Sequence, residues 1–97
     1  MGSRFVSFEW DEGKRRDNIR KHGIDFLDAA LVFEADTIEW IDDREDYGED
    51  RMIALGLSGL AVLRVTYTLR GDTIRIISAQ KASKHDRKKF FEAIEPG

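Results

Sequence analysis

The sequence predicts an α+β domain in which helices pack on an antiparallel sheet. Two helical segments precede most of the strands instead of alternating with them, tight turns join the later strands as hairpins, and a third helix follows. The predicted element order is β-α-α-β-β-β-β-α. With 97 residues the chain has the length of one domain, residues 1–97. We interpret residues 1–3 as a remnant of the expression vector.

The first strand and the first helix are predicted from local signals. Residues 5–10 are rich in aromatic and β-prone side chains, which favours a strand. Asp11 is a good N-cap for a helix over residues 12–22, and Gly23 is a good residue to end it. Ile19 is the one plainly apolar residue in this segment. The helix is therefore predicted to lie on the surface with a single narrow contact through Ile19.

A second helix is predicted over residues 26–33, with Asp25 as its N-cap. Four apolar residues follow helical spacing at i, i+3, i+4 and i+7 and should form its buried stripe: Phe26, Ala29, Ala30 and Phe33.

The remaining strands are predicted over residues 37–41, 51–57, 61–69 and 73–81. Residues 42–50 form a polar, acidic loop, and residues 56–59 and 70–72 have the composition of tight turns. The strand over 73–81 has the strongest β propensity, with three isoleucines at its centre.

The last helix is predicted to begin at Ser83 and to run to about Ile94, before Pro96 and Gly97 end the chain. Ser83 and Asp86 have the spacing of a capping box, with aspartate in place of the usual glutamate or glutamine.

Composition excludes several kinds of protein. The chain has no cysteine, so disulfides and thiolate metal sites are excluded, and its two histidines do not have metal-ligand spacing. No glycine-rich phosphate loop and no nucleophile elbow are present. No apolar run approaches the roughly 18 residues of a membrane span, and no signal peptide is visible. We predict a cytoplasmic protein with no metal, no cofactor and no membrane association.

The net charge of −3 conceals a charge asymmetry. Residues 1–50 carry 7 Lys and Arg against 15 Asp and Glu, whereas residues 51–97 carry 9 against 4. The basic second half could bind nucleic acid. The acidic first half could serve solubility, repel wrong partners or attract a basic protein.

Cations lie within the most apolar strands. Arg75 is flanked by isoleucines, and strand alternation places it on one face together with Ile77, Ala79 and Lys81. A charge at the centre of a sheet is costly, so Arg75 should either meet a carboxylate or line an open face. Arg64 lies between two apolar residues in the same way.

Two helices carry further candidate residues for binding nucleic acid. The last helix carries five basic or titratable residues that form either a solvated face or a nucleic-acid surface: Lys84, His85, Arg87, Lys88 and Lys89. In the first helix, Lys14, Asn18 and Lys21 form one polar stripe beside His22. That stripe is either solvated or part of a binding surface, and His22 could instead satisfy carbonyls at the end of the helix.

These residues and their spacings resemble the BrnT-type toxins. The opening of that family runs roughly W-D-x-x-K-x-x-x-N-x-x-K-H-G-x-x-F-x-x-A, and the sequence from Trp10 to Ala30 is similar to it. The later segments Tyr67-Thr68, Arg70-Gly71, Ile74 to Ala79, Lys81 to Ser83 and Asp86-Arg87 also resemble the family. The resemblance covers about residues 5–92.

The resemblance implies a compact RelE-like domain with an antiparallel sheet, two N-terminal helices and one C-terminal helix. It also implies the toxin of a type II toxin–antitoxin system, an endoribonuclease that works without metal and arrests translation. Its partners would be RNA and a small BrnA-like antitoxin, with operator DNA bound only through the antitoxin.

For this activity we assign candidate residues to two roles. Five are assigned to catalysis: Arg75, Lys81, His85, Arg87 and Gln80. Six are assigned to RNA binding: Arg70, Lys84, Tyr67, Lys14, Lys21 and His22. Arg70 and Arg75 would hold phosphate, and His85 is favoured as acid or base because imidazole titrates near neutral pH. Tyr67 would either stack on a base or pack in the core.

One position departs from the family pattern. The last strand of the family usually ends S-A/M-R, whereas this chain has Ser78-Ala79-Gln80. Glutamine keeps a hydrogen-bonding amide but lacks the cation. The alternative function is therefore a non-catalytic module that binds RNA or the antitoxin and is inactivated at Gln80.

Overall fold

The computed structural model describes residues 7–94 and confirms the predicted α+β class. The elements are β1 (Ser7–Glu9), α1 (Glu12–His22), α2 (Phe26–Ala30), a 3-10 turn (Leu31–Glu34), β2 (Ile38–Asp42), β3 (Arg51–Ser58), β4 (Ala61–Arg70), β5 (Thr73–Lys81) and α3 (Lys84–Ile94). The predictions for residues 1–3, for residues 5–6 of the first strand and for the chain end at 96–97 lie outside the described residues.

The five strands form one sheet in the order β1-β5-β4-β3-β2. Strands β2 to β5 pair antiparallel, as predicted, through successive hairpins. Strand β1 differs, because it pairs parallel with β5 and places Glu9 opposite Arg75. The helical segment carries the chain from β1 to the far edge of the sheet, and three reversals bring it back to β1. The sheet is therefore mixed at this edge.

A β-bulge interrupts the pairing of β4 with β5. Thr66 lies opposite Ser78, but the next residue, Tyr67, lies opposite Ile76, so Ile77 is the extra residue of β5. The extra residue reverses the alternation of side chains in the remainder of the strand.

The bulge corrects the predicted faces of β5. Arg75 lies opposite Thr68 and Gln80 lies opposite Arg64, and these two β4 residues are an even number of positions apart. Arg75 and Gln80 therefore share one face. Lys81 lies opposite Leu63 and belongs to the other face, so the prediction that Arg75 and Lys81 share a face is wrong.

Helices cover the two faces of the sheet unequally. α2 and the 3-10 turn cover one face, where the main core forms around Phe26, Val32, Val65 and Ile76. On the other face α3 packs through Phe90 over a smaller apolar cluster on β2, β3 and the start of β4. The rest of this face, on β4 and β5, is polar and lines a cleft.

The second helix is shorter than predicted. It ends at Ala30 and continues as the 3-10 turn, whose tighter winding places Val32 in the core and leaves Phe33 only partly buried. A Cβ atom at Gly56 would lie 2.8 Å from the Cβ of Val32, so the turn sits directly against the backbone of β3. The close approach explains why glycine is needed in this strand.

Both predicted ends of α1 and the predicted start of α3 are confirmed. Asp11 accepts a hydrogen bond from the backbone N–H of Lys14 at 2.9 Å, and Gly23 adopts a left-handed conformation with φ of 71°. Ser83 accepts a hydrogen bond from the backbone N–H of Asp86 at 3.0 Å. That bond is one half of the predicted capping box, because the Asp86 carboxylate is bound elsewhere.

α1 contacts the sheet through Asn18, not through Ile19 as predicted. Ile19 is 39% exposed, whereas Asn18 is 5% exposed. The Asn18 side chain donates hydrogen bonds to the carbonyls of Ile24 (2.9 Å) and Ala79 (2.8 Å) and accepts one from the Ala79 N–H (3.0 Å). Strand β1 ends at Glu9, so these Ala79 groups have no strand partner on that side. The Asn18 amide therefore makes the hydrogen bonds to Ala79 that a neighbouring strand would otherwise make.

Candidate functional site

The uncovered part of the α3 face holds a cleft of about 520 Å³. Its walls come from β4, β5, the start of α3 and the loop after β2. Eight residues line it, and all of them are polar or charged: Arg44, Arg64, Thr66, Ser78, Gln80, Lys81, Ser83 and Asp86.

An ion pair between Arg64 and Asp86 joins the floor of the cleft to its wall. The distance from Arg64 Nη1 to Asp86 Oδ2 is 2.8 Å, and the two side chains are 21% and 11% exposed. Arg64 also lies over the ring of Trp40, with Cζ 5.6 Å from the ring centroid. The pair compensates the cost of placing an arginine in a central strand. Arg64 therefore meets a carboxylate and also lines an open face.

Gln80 lies directly opposite Arg64 in the β4–β5 ladder. Cβ atoms of residues opposed in this way are roughly 4.5–5.5 Å apart, so amide and guanidinium are neighbours. Lys81 follows at the end of β5 and also lines the cleft. Within residues 7–94 Lys81 forms no ion pair. The structure thus brings together two of the predicted catalytic residues, Gln80 and Lys81, with Arg64.

The rim of the cleft on the β2 side is fixed by a buried carboxylate. Asp42 accepts two hydrogen bonds from the Arg44 guanidinium, at 2.7 and 2.8 Å, and one from the Tyr47 hydroxyl at 3.2 Å. Its exposed fraction is 5%. The hydrogen bonds from Arg44 hold the pKa of the Asp42 carboxyl well below its usual range. Arg44 is thereby positioned at the cleft, at the start of the predicted acidic loop.

Asp42 predicts a specific response to acid. Because its folded pKa is lowered, Asp42 contributes stability that is present above its unfolded pKa of about 3.9 and is lost as the pH falls towards its folded value. Asp42→Asn should therefore lower the urea midpoint at pH 7 and flatten its decline between pH 4 and pH 2.5. The matched control is Asp43→Asn, which changes an exposed neighbour. Equal acid profiles for Asp42→Asn and Asp43→Asn would contradict the prediction.

Arg75 lies on the same face as the cleft but outside it. Its Nη1 is 2.8 Å from Glu9 Oε2. It pairs with Thr68, four residues along β4 from Arg64, which corresponds to roughly 13 Å at about 3.3 Å per residue. Arg75 therefore meets a carboxylate, one of the two predicted possibilities.

Arg70 lies at the opposite end of β4 from the cleft. It is six residues from Arg64, or about 20 Å along the strand. Its Nη2 lies 3.6 Å from Glu49 Oε1 in an exposed ion pair. Arg70 is therefore not part of the cleft that Lys81 lines.

The first turn of α3 carries three of the predicted residues beside the cleft. Lys84, His85 and Arg87 are exposed. They are the sequence neighbours of Ser83 and Asp86, which line the cleft. Within the part of the chain that the structure describes, none of the three forms a side-chain hydrogen bond or an ion pair. They are available to a ligand that extends beyond the cleft.

The predicted residues of α1 are not part of the cleft. Lys14, Lys21 and His22 are exposed, and α1 is held beside β5 through the hydrogen bonds between Asn18 and Ala79. None of the three lines the cleft, so the structure does not place them in one site with Gln80 and Lys81.

The proposed stacking role of Tyr67 is corrected. Tyr67 is 3% exposed and belongs to the main core, where its ring lies 5.1 Å from that of Phe33. Its hydroxyl donates a hydrogen bond to Glu39. Burial and this bond raise the pKa of the Tyr67 hydroxyl well above its usual value. A base cannot stack on a ring that is enclosed in this way.

Six of the eight residues that line the cleft were not assigned to the site by the sequence analysis: Arg44, Arg64, Thr66, Ser78, Ser83 and Asp86. The capping-box spacing pointed Asp86 towards a structural role. The one available signal was Arg64, a cation in an apolar strand that required a carboxylate.

Among residues 7–94 no three or more His, Cys, Asp or Glu side chains are grouped so that they could hold a metal ion. No helix in the same range is long and apolar enough to cross a membrane.

Comparisons with known proteins agree with the fold and with the sequence motifs. The profile of a family described as "Ribonuclease toxin, BrnT, of type II toxin-antitoxin system" matches residues 10–86. The crystal structure of the Brucella abortus ribonuclease toxin, BrnT, is 31% identical in sequence and superposes with a TM-score of 0.62. The match covers 82% of this chain and 100% of the Brucella chain. No curated protein sequence matches.

Proposed function

The chain belongs to the BrnT family of ribonuclease toxins from type II toxin–antitoxin systems, and on this premise we propose that it cleaves RNA without a metal ion in the cleft between β4, β5 and α3. The observation that supports this most directly is the group formed by Arg64, Gln80 and Lys81. Arg64 and Gln80 lie on the floor of an open polar cleft, and Lys81 lines the same cleft from the end of β5. A phosphate group is a suitable ligand for this set of hydrogen-bond donors.

The proposed reaction uses the ribose 2′-hydroxyl as the nucleophile. Its oxygen attacks the adjacent phosphorus as the P–O5′ bond breaks, which leaves a 2′,3′-cyclic phosphate and a free 5′-hydroxyl. A base takes the proton of the 2′-hydroxyl, and an acid protonates the departing oxygen. Negative charge accumulates on the phosphate oxygens in the transition state, where fixed cations stabilise it.

The residues of the cleft and its rim divide these tasks. Arg64 and Lys81 bind the scissile phosphate and stabilise the developing charge, and Gln80 donates its amide N–H to a phosphate oxygen. His85, beside the cleft on α3, is the acid or base. Arg87 and Lys84 bind the phosphates of neighbouring nucleotides. Positioning of the RNA supplies much of the rate, because the nucleophile is part of the substrate.

Neutralisation of the toxin is proposed to occur at the same cleft. The family belongs to type II systems, which implies an antitoxin partner. We propose that a small antitoxin, which itself binds operator DNA, covers Arg64 and Lys81 with acidic or apolar side chains. The free toxin would act on RNA in the cytoplasm and arrest translation.

An RNA cleavage assay in EDTA tests the proposal. Purified protein should cut RNA and leave 2′,3′-cyclic phosphate ends, whereas an RNA with 2′-deoxy nucleotides should remain intact. Arg64→Ala should reduce the rate by about 10²–10³-fold, the usual cost of removing one transition-state donor. Arg70→Ala, at the far end of β4, is the matched control and should cleave normally.

A specific observation supports a second candidate function. Gln80 occupies the place where the family usually has an arginine, which favours a chain that binds RNA or the antitoxin without cleaving RNA. This alternative predicts equal binding to RNA and to its 2′-deoxy analogue, with no cleavage by the chain or by Gln80→Arg. Such a result would overturn the proposed nuclease activity.

A further inference from the structure

We infer that Asp86 is a positioning residue that fixes the Arg64 guanidinium in the cleft for phosphate binding. This inference rests on the proposed nuclease function. It assigns to Asp86 a role that neither the helix-capping pattern nor the family description gives it.

The first support is the geometry of the contact. Asp86 Oδ2 binds Nη1 of Arg64 at 2.8 Å. Within residues 7–94 this is the one hydrogen bond of the guanidinium, so its remaining N–H groups are free to bind a ligand in the cleft that Arg64 lines. A carboxylate that occupies one side of an arginine restricts its rotation and leaves the other donors available.

The second support is the rigidity of the carboxylate itself. Asp86 is 8% exposed as a residue, and its backbone N–H is held by Ser83 Oγ at 3.0 Å. α3 is anchored to the sheet by Phe90, one turn further along the same helix face, which is fully buried. Asp86 therefore holds Arg64 from an element that is itself fixed to the sheet. The reach of Arg64 towards Gln80 and Lys81 is set by this contact.

A second ion pair in the same sheet provides a comparison. Arg75 and Glu9 are also 2.8 Å apart and lie on the same face, but roughly 13 Å from Arg64 and outside the cleft. Loss of the Glu9 carboxylate removes a similar contact outside the cleft in which the scissile phosphate is proposed to bind. Glu9→Gln is therefore the matched control for Asp86→Asn.

The experiment compares steady-state RNA cleavage in EDTA by these two variants. Asp86→Asn keeps the size of the side chain and the bond from the backbone N–H to Ser83. It should lower kcat by about tenfold to a hundredfold with little change in KM, since a misplaced group costs up to about 10²-fold. Glu9→Gln should leave kcat unchanged. Thermal midpoints show whether both variants are folded, and Asp86→Glu replaces Asp86→Asn if the latter does not fold.

A double-substitution test separates positioning from a general structural effect. If Asp86 acts through Arg64, the Asp86 substitution should have no further effect on kcat in an Arg64→Ala background. An equal loss of kcat in both backgrounds, or normal cleavage by the Asp86 variant, would overturn the inference and leave the nuclease proposal intact. Each of these rates is also measured in chains that carry Gln80→Arg in addition. If neither the unsubstituted chain nor Gln80→Arg cleaves RNA, the nuclease proposal and this inference are overturned together.

Discussion

Replacing Asn18 with alanine should lower the free energy of unfolding by about 3–5 kcal/mol. The substitution removes three hydrogen bonds and leaves the N–H and C=O of Ala79 without partners in a buried position. An unpaired buried polar group costs about 1–3 kcal/mol. For a domain of this size a loss of 3 kcal/mol lowers the thermal midpoint by more than about 10 °C. Calorimetry or urea unfolding measures the effect.

Controls on the same helix separate this effect from helix propensity. Alanine is the best helix former, so the local propensity change at residue 18 is stabilising and works against the predicted loss. Lys21→Ala makes a similar change at an exposed site and should alter stability by less than about 0.5 kcal/mol. Asn18→Asp keeps an acceptor for the Ala79 N–H but loses both donors, so it should also be destabilised. A shift for Asn18→Ala no larger than that for Lys21→Ala would contradict the role of Asn18.

The example of α1 shows which features of the fold a sequence carries locally. Asp11 and Gly23 mark the ends of α1 through the backbone groups they satisfy, and both were predicted correctly. The buried face of the helix was not predicted, because an asparagine in a polar stripe looks solvated. Its partner Ala79 is 61 residues away, and the Ala79 backbone is free for this contact because β1 ends at Glu9.

For the same reason the sequence analysis named only some of the residues that line the cleft. Gln80 and Lys81 were recognised from the end of the last strand, but Asp86 was not, because its contact joins residues 22 apart in sequence. The bulge at Ile77 lies within a run of apolar residues that carries no turn signal. One extra residue there was enough to move Arg75 and Lys81 to opposite faces.

The bulge also determines the face of the sheet on which the Gln80 side chain lies. Uninterrupted alternation would place residue 80 opposite to Arg75 and away from the polar face. With the bulge, Gln80 points to the same side as Arg64 and lines the cleft. The position at which the family usually has an arginine is therefore a position where an arginine could reach a phosphate held by Arg64.

Gln80→Arg should raise kcat for RNA cleavage by about 10²–10³-fold. An arginine binds phosphate oxygens through paired, charge-assisted hydrogen bonds, whereas the glutamine amide donates only neutral ones. One such contact in the transition state contributes about 2.7–4 kcal/mol. Induced expression should show the same order, with stronger growth arrest by Gln80→Arg than by the unsubstituted chain.

Two further variants show whether geometry or charge alone is responsible. Gln80→Lys supplies a cation without the planar fork of donors, so its gain in kcat should be smaller than that of Gln80→Arg. Leu69→Arg adds the same charge at an exposed site on the opposite face of the sheet, about 17 Å along β4 from Arg64. It should not increase kcat.

The gain at position 80 should be accompanied by a small loss of stability. An arginine there would stand directly opposite Arg64, and like charges opposed across a sheet destabilise it by roughly 0.2–1 kcal/mol. Asp86 lies on the same cleft wall and offsets part of this repulsion. Gln80→Arg should therefore unfold at a slightly lower urea concentration than the unsubstituted chain while cleaving RNA faster. Bound RNA should remove this difference in stability, because a phosphate then separates the two cations. Equal kcat for both chains would show that Gln80 already does the work of the arginine, and that Arg64 and Lys81 suffice for the transition state.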